Sequence, residues 1–229
     1  MKALKRLVIS LTILVVLFGA VVYLVLQTDR TISKVDIVSN DGLVYISKQQ
    51  LIDKITGLNQ KQWFDFNIQD VRRYLHKIKG VDYFLVKKVW PSTLVIYLYD
   101  RKPVAYWDGD KILLDNMAIV KPTVLSYDRE LPHIQSSDEG NRYYIYETYR
   151  QLNRIAKANS TEIIGIFYKG NQFKLLLSND QVVILGSKEL KLRLKEYFRT
   201  YKKVKNYESV EYFDMRYADG FAIKYINNK

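Results

Sequence analysis

The sequence predicts an α+β protein whose folded part follows one N-terminal apolar helix. Three observations carry this expectation. Leu7 to Leu26 is a run of 20 residues without a charge. Next come a strand pattern, two helical patterns and two more strand patterns within about 70 residues. The remainder alternates short strand-like runs with hairpin-like turns, interrupted by two helical stretches.

The apolar run comes first. At about 1.5 Å per residue it spans roughly 30 Å, the thickness of a bilayer core. Lys2, Lys5 and Arg6 precede it, whereas Asp29 and Arg30 cancel after it. Positive charge stays inside, which predicts a cytoplasmic tail at 1–6, a transmembrane helix at 7–26 and an exported remainder. Tyr23 suits the outer interface. A cleaved signal peptide would have a shorter apolar region ending in a small-x-small site. Here Phe18 stands where the small residue before Gly19-Ala20 is needed.

The first exported unit opens with a strand pattern over Ile32–Val38. Ser47, with Gln50 three residues on, forms a capping box before Leu51, Ile52 and Ile55, and Gly57 is expected to end that helix in a left-handed conformation. Asn67 caps a second helix carrying Ile68, Val71, Leu75 and Ile78 on one face, with Gly80 as its stop. Strands are expected over Val81–Val89 and Leu94–Tyr99, separated by a turn containing Pro91.

The second unit starts near Pro103. Strands are expected over Val104–Trp107, Lys111–Leu114 and Ala118–Lys121. A helix follows over Asn141–Ala158, with Tyr144, Thr148, Leu152 and Ile155 on one face. Three further strands fit Ile163–Tyr168, Phe173–Leu177 and Val182–Leu185. Ser187 caps a long basic helix from Lys188 to about Val204. The last strands, Ser209–Asp214 and Phe221–Tyr225, flank a tight turn at Ala218–Gly220. The unit reads as mostly antiparallel sheet with flanking helices.

Composition narrows the function. The chain has no cysteine, two histidines and a net charge of +12. Disulfides and cysteine chemistry are thereby excluded, and histidine-based metal sites have little to work with. Removing residues 1–29, which hold three bases and one acid, leaves +10. The bases are scattered, as on a solvated surface. No phosphate loop, nucleophile elbow or zinc-binding helix motif occurs. The acid pairs Asp108/Asp110 and Asp138/Glu139 lie in polar, turn-like stretches and read as solvated loop acids rather than a glycosidase pair. His76 falls on the polar side of its helix, and His133 follows Pro132 in a loop. Of the 19 tyrosines, Tyr143, Tyr144, Tyr146, Tyr149, Tyr197 and Tyr201, with Phe198, have helical spacing that suits at least half of them to core packing. Exposed tyrosine in an exported protein suits a protein interface better than nucleic acid.

Three motifs resemble the FtsQ/DivIB family of division proteins. The first is VWPSTLVIYLYDRKPVAYW over 89–107. The second is LGSK at 185–188, followed by Arg193-Leu-Lys and Phe198. The third is FDMRYADGFAIKY over 213–225. Three departures stand out: Gly80-Val81 where the family commonly has Trp-Val, Ala118 for a turn glycine, and Tyr225 for a tryptophan. The resemblance implies a POTRA domain (βααββ) at 30–101 and a β domain at 102–229. It implies a non-enzymatic, cofactor-free scaffold of the bacterial divisome with no small-molecule substrate. Its partners would be FtsB and FtsL, with other divisome proteins, at the septum. Its place would be the cell inner membrane, as a single-pass type II protein with its bulk periplasmic. The six-residue tail and the early stop after the last strand resemble the family's Gram-negative variant. The alternative is another POTRA-bearing envelope protein for secretion or assembly, and a membrane-anchored wall hydrolase is the third reading.

The implied partner-binding residues are Tyr217, Asp219, Gly220, Phe221, Ile223 and Tyr225 on the last strand and its turn, with Arg193 and Arg199 on the preceding helix. An edge strand can template a partner strand through its unpaired N–H and C=O groups. Arg193 is read either as pairing with an acidic partner helix or as bracing the sheet. Gly220 is expected to need a positive φ. Tyr217 is expected to be a contact, the other reading being that it packs into the core.

Overall fold

The computed structural model describes residues 2–27, 32, 34–39, 46–57, 67–90, 92–122 and 130–226. The chain divides into two compact units with a boundary near residue 100. The expected turn proline, Pro91, lies outside the described residues.

In the first unit, helix α1 covers Lys2–Gln27, 26 residues. Its described apolar side chains are exposed on every face, with Leu11, Leu14, Val16 and Phe18 all above 60%. No helix among the described residues is long and apolar enough to cross a membrane.

Strands β1 (Lys34–Ser39), β2 (Val81–Val89) and β3 (Thr93–Asp100) form a sheet in the order β1-β3-β2. β1 runs parallel to β3 with Lys34 opposite Thr93. Helices α2 (Lys48–Gly57) and α3 (Ile68–Leu75) complete the βααββ order. Asn67 caps α3 by accepting from Gln69 N at 3.0 Å. Apolar residues at helical and alternating spacing are buried as the pattern requires: Leu51, Ile55, Val71 and Leu75 from the helices, and Leu94, Ile96 and Leu98 from β3. One detail differs from expectation: Gly57 is the last helical residue and is not left-handed. His76, exposed as expected, follows α3 and sets its ring edge-on against Phe84, centroids 4.7 Å apart.

The second unit is a nine-stranded sheet among the described residues, ordered β12-β11-β10-β9-β8-β7-β4-β5-β6. Its strands are β4 (Pro103–Trp107), β5 (Lys111–Leu114), β6 (Ile119–Val120), β7 (His133–Gln135), β8 (Ile163–Lys169), β9 (Gln172–Leu177), β10 (Val182–Gly186), β11 (Val210–Asp214) and β12 (Ala222–Tyr225). Pairing is mostly antiparallel, but β4–β7, β7–β8 and β10–β11 are parallel. β7 was not expected. His133 lies in this strand, not in a loop, and its ring stacks on Tyr106 at 4.8 Å.

Helices α4 (Arg142–Lys157) and α5 (Leu190–Thr200) belong to the same unit and contact each other. α4 buries Ile145, Leu152, Asn153 and Ala156, whereas Tyr144 is 48% exposed. The buried stripe is thus turned by about one residue from the expected one. Asn153 accepts from the Ile163 N–H at 2.8 Å, which joins α4 to β8. α5 starts later than expected, at Leu190, because Glu189 adopts a left-handed φ of 52°. It buries Leu194 and Tyr197, and Tyr197 packs on Phe213 of β11 at 5.2 Å.

Candidate functional site

The site grows out of the end of the sheet. β12 has β11 as its one strand neighbour among the described residues. Asp214 lies opposite Ala222, Phe213 opposite Ile223 and Tyr212 opposite Lys224. The other side of β12 therefore presents main-chain groups without a strand partner, the feature that permits strand addition.

Four contacts hold this edge strand in place. Phe221 packs on Phe213 at 5.9 Å. Ile223 is half-buried against the core. Lys224 pairs with Glu211 at 2.7 Å. The Tyr225 hydroxyl donates to the Lys205 carbonyl at 3.0 Å. Tyr225 remains 42% exposed and Tyr217 is 59% exposed, so Tyr217 is not a core residue.

Between the α5 region and the β11–β12 turn lies a groove of about 390 Å³. Its walls include six of the eight expected residues: Arg193, Arg199, Tyr217, Asp219, Gly220 and Phe221. Ile223 and Tyr225 do not line it; they lie along β12.

The two arginines differ. Arg193 donates through Nη1 to the Leu185 carbonyl at 2.6 Å and through Nη2 to the Arg216 carbonyl at 3.2 Å. Its guanidinium braces the ends of β10 and β11. Arg199 sits on the surface of α5, one turn from Glu196, to which it pairs at 2.5 Å. An acidic partner would compete with Glu196 for it.

Gly220 departs from expectation. Its φ is not positive, and a Cβ there would meet nothing within 4 Å. The conformationally demanding glycine is Gly186, with φ +75°. An added Cβ there would stand 3.0 Å from Arg193 Nη1 and 3.0 Å from Arg216 Cγ.

Asp214 and Arg216 belong to the site but were not singled out from the sequence. The Arg216 Nε and Nη2 reach the Asp214 carboxylate at 2.8 and 2.6 Å, and Arg216 N donates to Asp214 Oδ1 at 3.1 Å. The Arg216 guanidinium holds the nearly buried carboxyl below its usual range. The available signal was the Asp-x-Arg spacing at the end of a strand pattern.

The acid pairs are engaged elsewhere. Asp110 pairs with Lys121 at 2.7 Å and Glu139 with Lys111 at 2.6 Å. Each lysine lowers the pKa of its acid, the reverse of what a general acid needs. Asp138 caps the turn before α4 by accepting from Asn141 N at 3.2 Å. A wider hollow of about 770 Å³ is lined by Asp108, Phe167, Lys174 and Arg216 among others. Lys174 lies over the Phe167 ring at 4.4 Å.

Comparison with known proteins matches two family models in sequence order. One, described as the POTRA domain, FtsQ-type, covers residues 31–101. The other, described as cell division protein FtsQ/DivIB, C-terminal, covers residues 105–216. Curated relatives match at low identity over most of their length. The cell division protein FtsQ of Coxiella burnetii is 22% identical, over 80% of this chain and 76% of its own. That of Alcanivorax borkumensis is 25% identical, over 89% and 80%. That of Allochromatium vinosum is 23% identical, over 97% and 90%.

Proposed function

The chain belongs to the FtsQ/DivIB family of cell division proteins, and from that premise we propose that it is a non-enzymatic divisome scaffold that holds an FtsB–FtsL pair at the septum. The observation that carries the reading is the free side of β12, with one strand neighbour among the described residues and a groove at its head. A partner segment adds as a strand alongside β12, where main-chain hydrogen bonds supply affinity. Tyr217 and the groove supply side-chain specificity.

The scaffold is anchored by α1 in the inner membrane, with its tail in the cytoplasm and both folded units in the periplasm. The support is the 26-residue backbone helix, the uncharged run from Leu7 to Leu26, exposed apolar side chains and the basic residues ahead of them. A reporter fused after Lys229 that is active only when exported tests the topology. Activity only in the cytoplasm would overturn it.

The function is tested by mixing the purified full chain with soluble FtsB–FtsL and by imaging a fluorescent fusion in cells. A stable complex and midcell bands are expected. An even envelope signal without complex formation would contradict the reading.

A further inference from the structure

Beside the contacts of its own residues, the edge has two arginines and one glycine at the strand ends behind it. β10 ends in a register shift between Ile184 and Gly186. There the positive φ of Gly186 turns the chain, and the Leu185 carbonyl accepts from Arg193 on the next helix. The second Arg193 donor goes to the carbonyl of Arg216, the residue just before the Tyr217–Gly220 turn. Arg216 is fixed in turn by its paired contact with the buried Asp214 carboxylate. Met215 N donates to the Ile184 carbonyl at 2.9 Å, so the two strand ends are also tied directly.

We infer that Arg193 is a positioning residue: with the Arg216–Asp214 pair it forms a latch that sets the 217–220 turn, and so the height and register of β12, with Gly186 as the slot that admits the Arg193 guanidinium and the Arg216 stem. The inference rests on reading β12 as the partner-binding edge. It makes Arg193 an internal brace whose effect on a partner passes through the turn. A planar guanidinium has donors spread over separate nitrogens and reaches two divergent carbonyls at once, which a lysine ammonium does not reproduce. Gly186 has no room for a methyl group without moving that guanidinium or Arg216, and its φ disfavours any other residue.

The test uses the full chain in detergent micelles, with Arg193→Ala, Arg193→Lys, Gly186→Ala and the surface control Arg199→Ala. Two quantities are read on each: amide hydrogen exchange over 215–226, and affinity for soluble FtsB–FtsL. For Arg193→Ala, exchange of the β12 amides facing β11 should rise on the order of tenfold. Affinity should fall about tenfold, and exchange in β8 and β9 should stay at the wild-type level. Arg193→Lys should recover only part of either loss, and Arg199→Ala should leave exchange unchanged. If Arg193→Ala leaves exchange over 215–226 as in the wild type, the latch is wrong. If it instead unfolds the whole unit, Gly186→Ala decides: faster exchange confined to the turn and β12 supports the latch, and none overturns it. Faster exchange with undiminished affinity would leave the latch standing and overturn the interface.

Discussion

Among the described residues the nine-stranded sheet has two ends, and they are finished differently. At one end β6 is two residues long, Ile119–Val120, both half-buried, and the next residue, Lys121, is tied to Asp110. At the other end β12 is four residues long and three of them are exposed. Short, charge-flanked strands are a common way to blunt a sheet edge. A longer edge, braced from behind by Arg193 and Asp214 and pinned by Phe221 and Tyr225, is built to be held still while one side stays open. On the proposed reading of β12 as the partner-binding edge, its inner side is supported as firmly as its outer side is exposed.

The comparison can be broken most forcefully by proline. Ile223→Pro removes a main-chain donor from β12, on whichever side it faces, and with it a strand hydrogen bond. Partner affinity should fall about 100-fold, measured by calorimetry. Val120→Pro at the opposite end should leave affinity unchanged; a comparable loss there would erase the distinction between the two ends.

Tyr217→Ala comes next. An exposed interface tyrosine contributes about 2 kcal/mol when truncated, roughly a thirtyfold loss of affinity. Because Tyr217 is exposed, the melting temperature should not move. A lowered melting temperature with full affinity would place the residue in the fold instead.

The inner support carries a pH signature. The Asp214 carboxyl has its pKa lowered in the folded chain, so the unfolded chain binds the proton more readily. Its contribution to stability is present above the unfolded carboxylate value, about 3.9, and is lost as pH falls through the lower folded value. Asp214→Asn should therefore melt below the wild type at pH 7, and the two curves should converge at strongly acid pH. Parallel curves down to that pH would mean the carboxylate is not the brace.

The smallest expected effect is at Gly220. Its φ is ordinary and its surroundings open, so Gly220→Ala should shift stability by less than about 0.5 kcal/mol. The same change at Gly186 should be plainly destabilising. Equal melting temperatures for the two variants would contradict the assignment of the strained position.

Much of this was legible in the residues. Long periodic stretches such as 142–157, and motif-bearing runs such as 89–107 and 213–225, fell close to their observed boundaries, because apolar spacing and turn residues agreed there. β7 was not legible. His133, Ile134 and Gln135 are too few to show alternation, and the strand exists because β4 and β8 flank it. The face of α4 was misjudged because Tyr144, Thr148, Leu152 and Ile155 fit one helical face as well as Ile145, Leu152 and Ala156 do, and Tyr144 lies at the rim of the core. Bracing of the sheet was one of two readings of Arg193; its acceptors, the Leu185 and Arg216 carbonyls, were not legible, because no residue type announces a main-chain acceptor. Gly220 drew attention as a turn glycine, while the strain was at Gly186, where a strand end meets two arginines.

The central claim is that β12 takes a partner strand along its free side. Because the chain has no cysteine, single cysteines can be placed at 222, 223, 224 and 225 and, as controls, at 119 and 120. Disulfide capture is then scored against a cysteine series in FtsB, with the full chain in membranes. Capture at the β12 positions should alternate with a period of two along both chains, since strand side chains point to opposite faces in turn, and positions 119 and 120 should give none. Capture at 119 or 120, or an absence of capture along β12, would contradict the account.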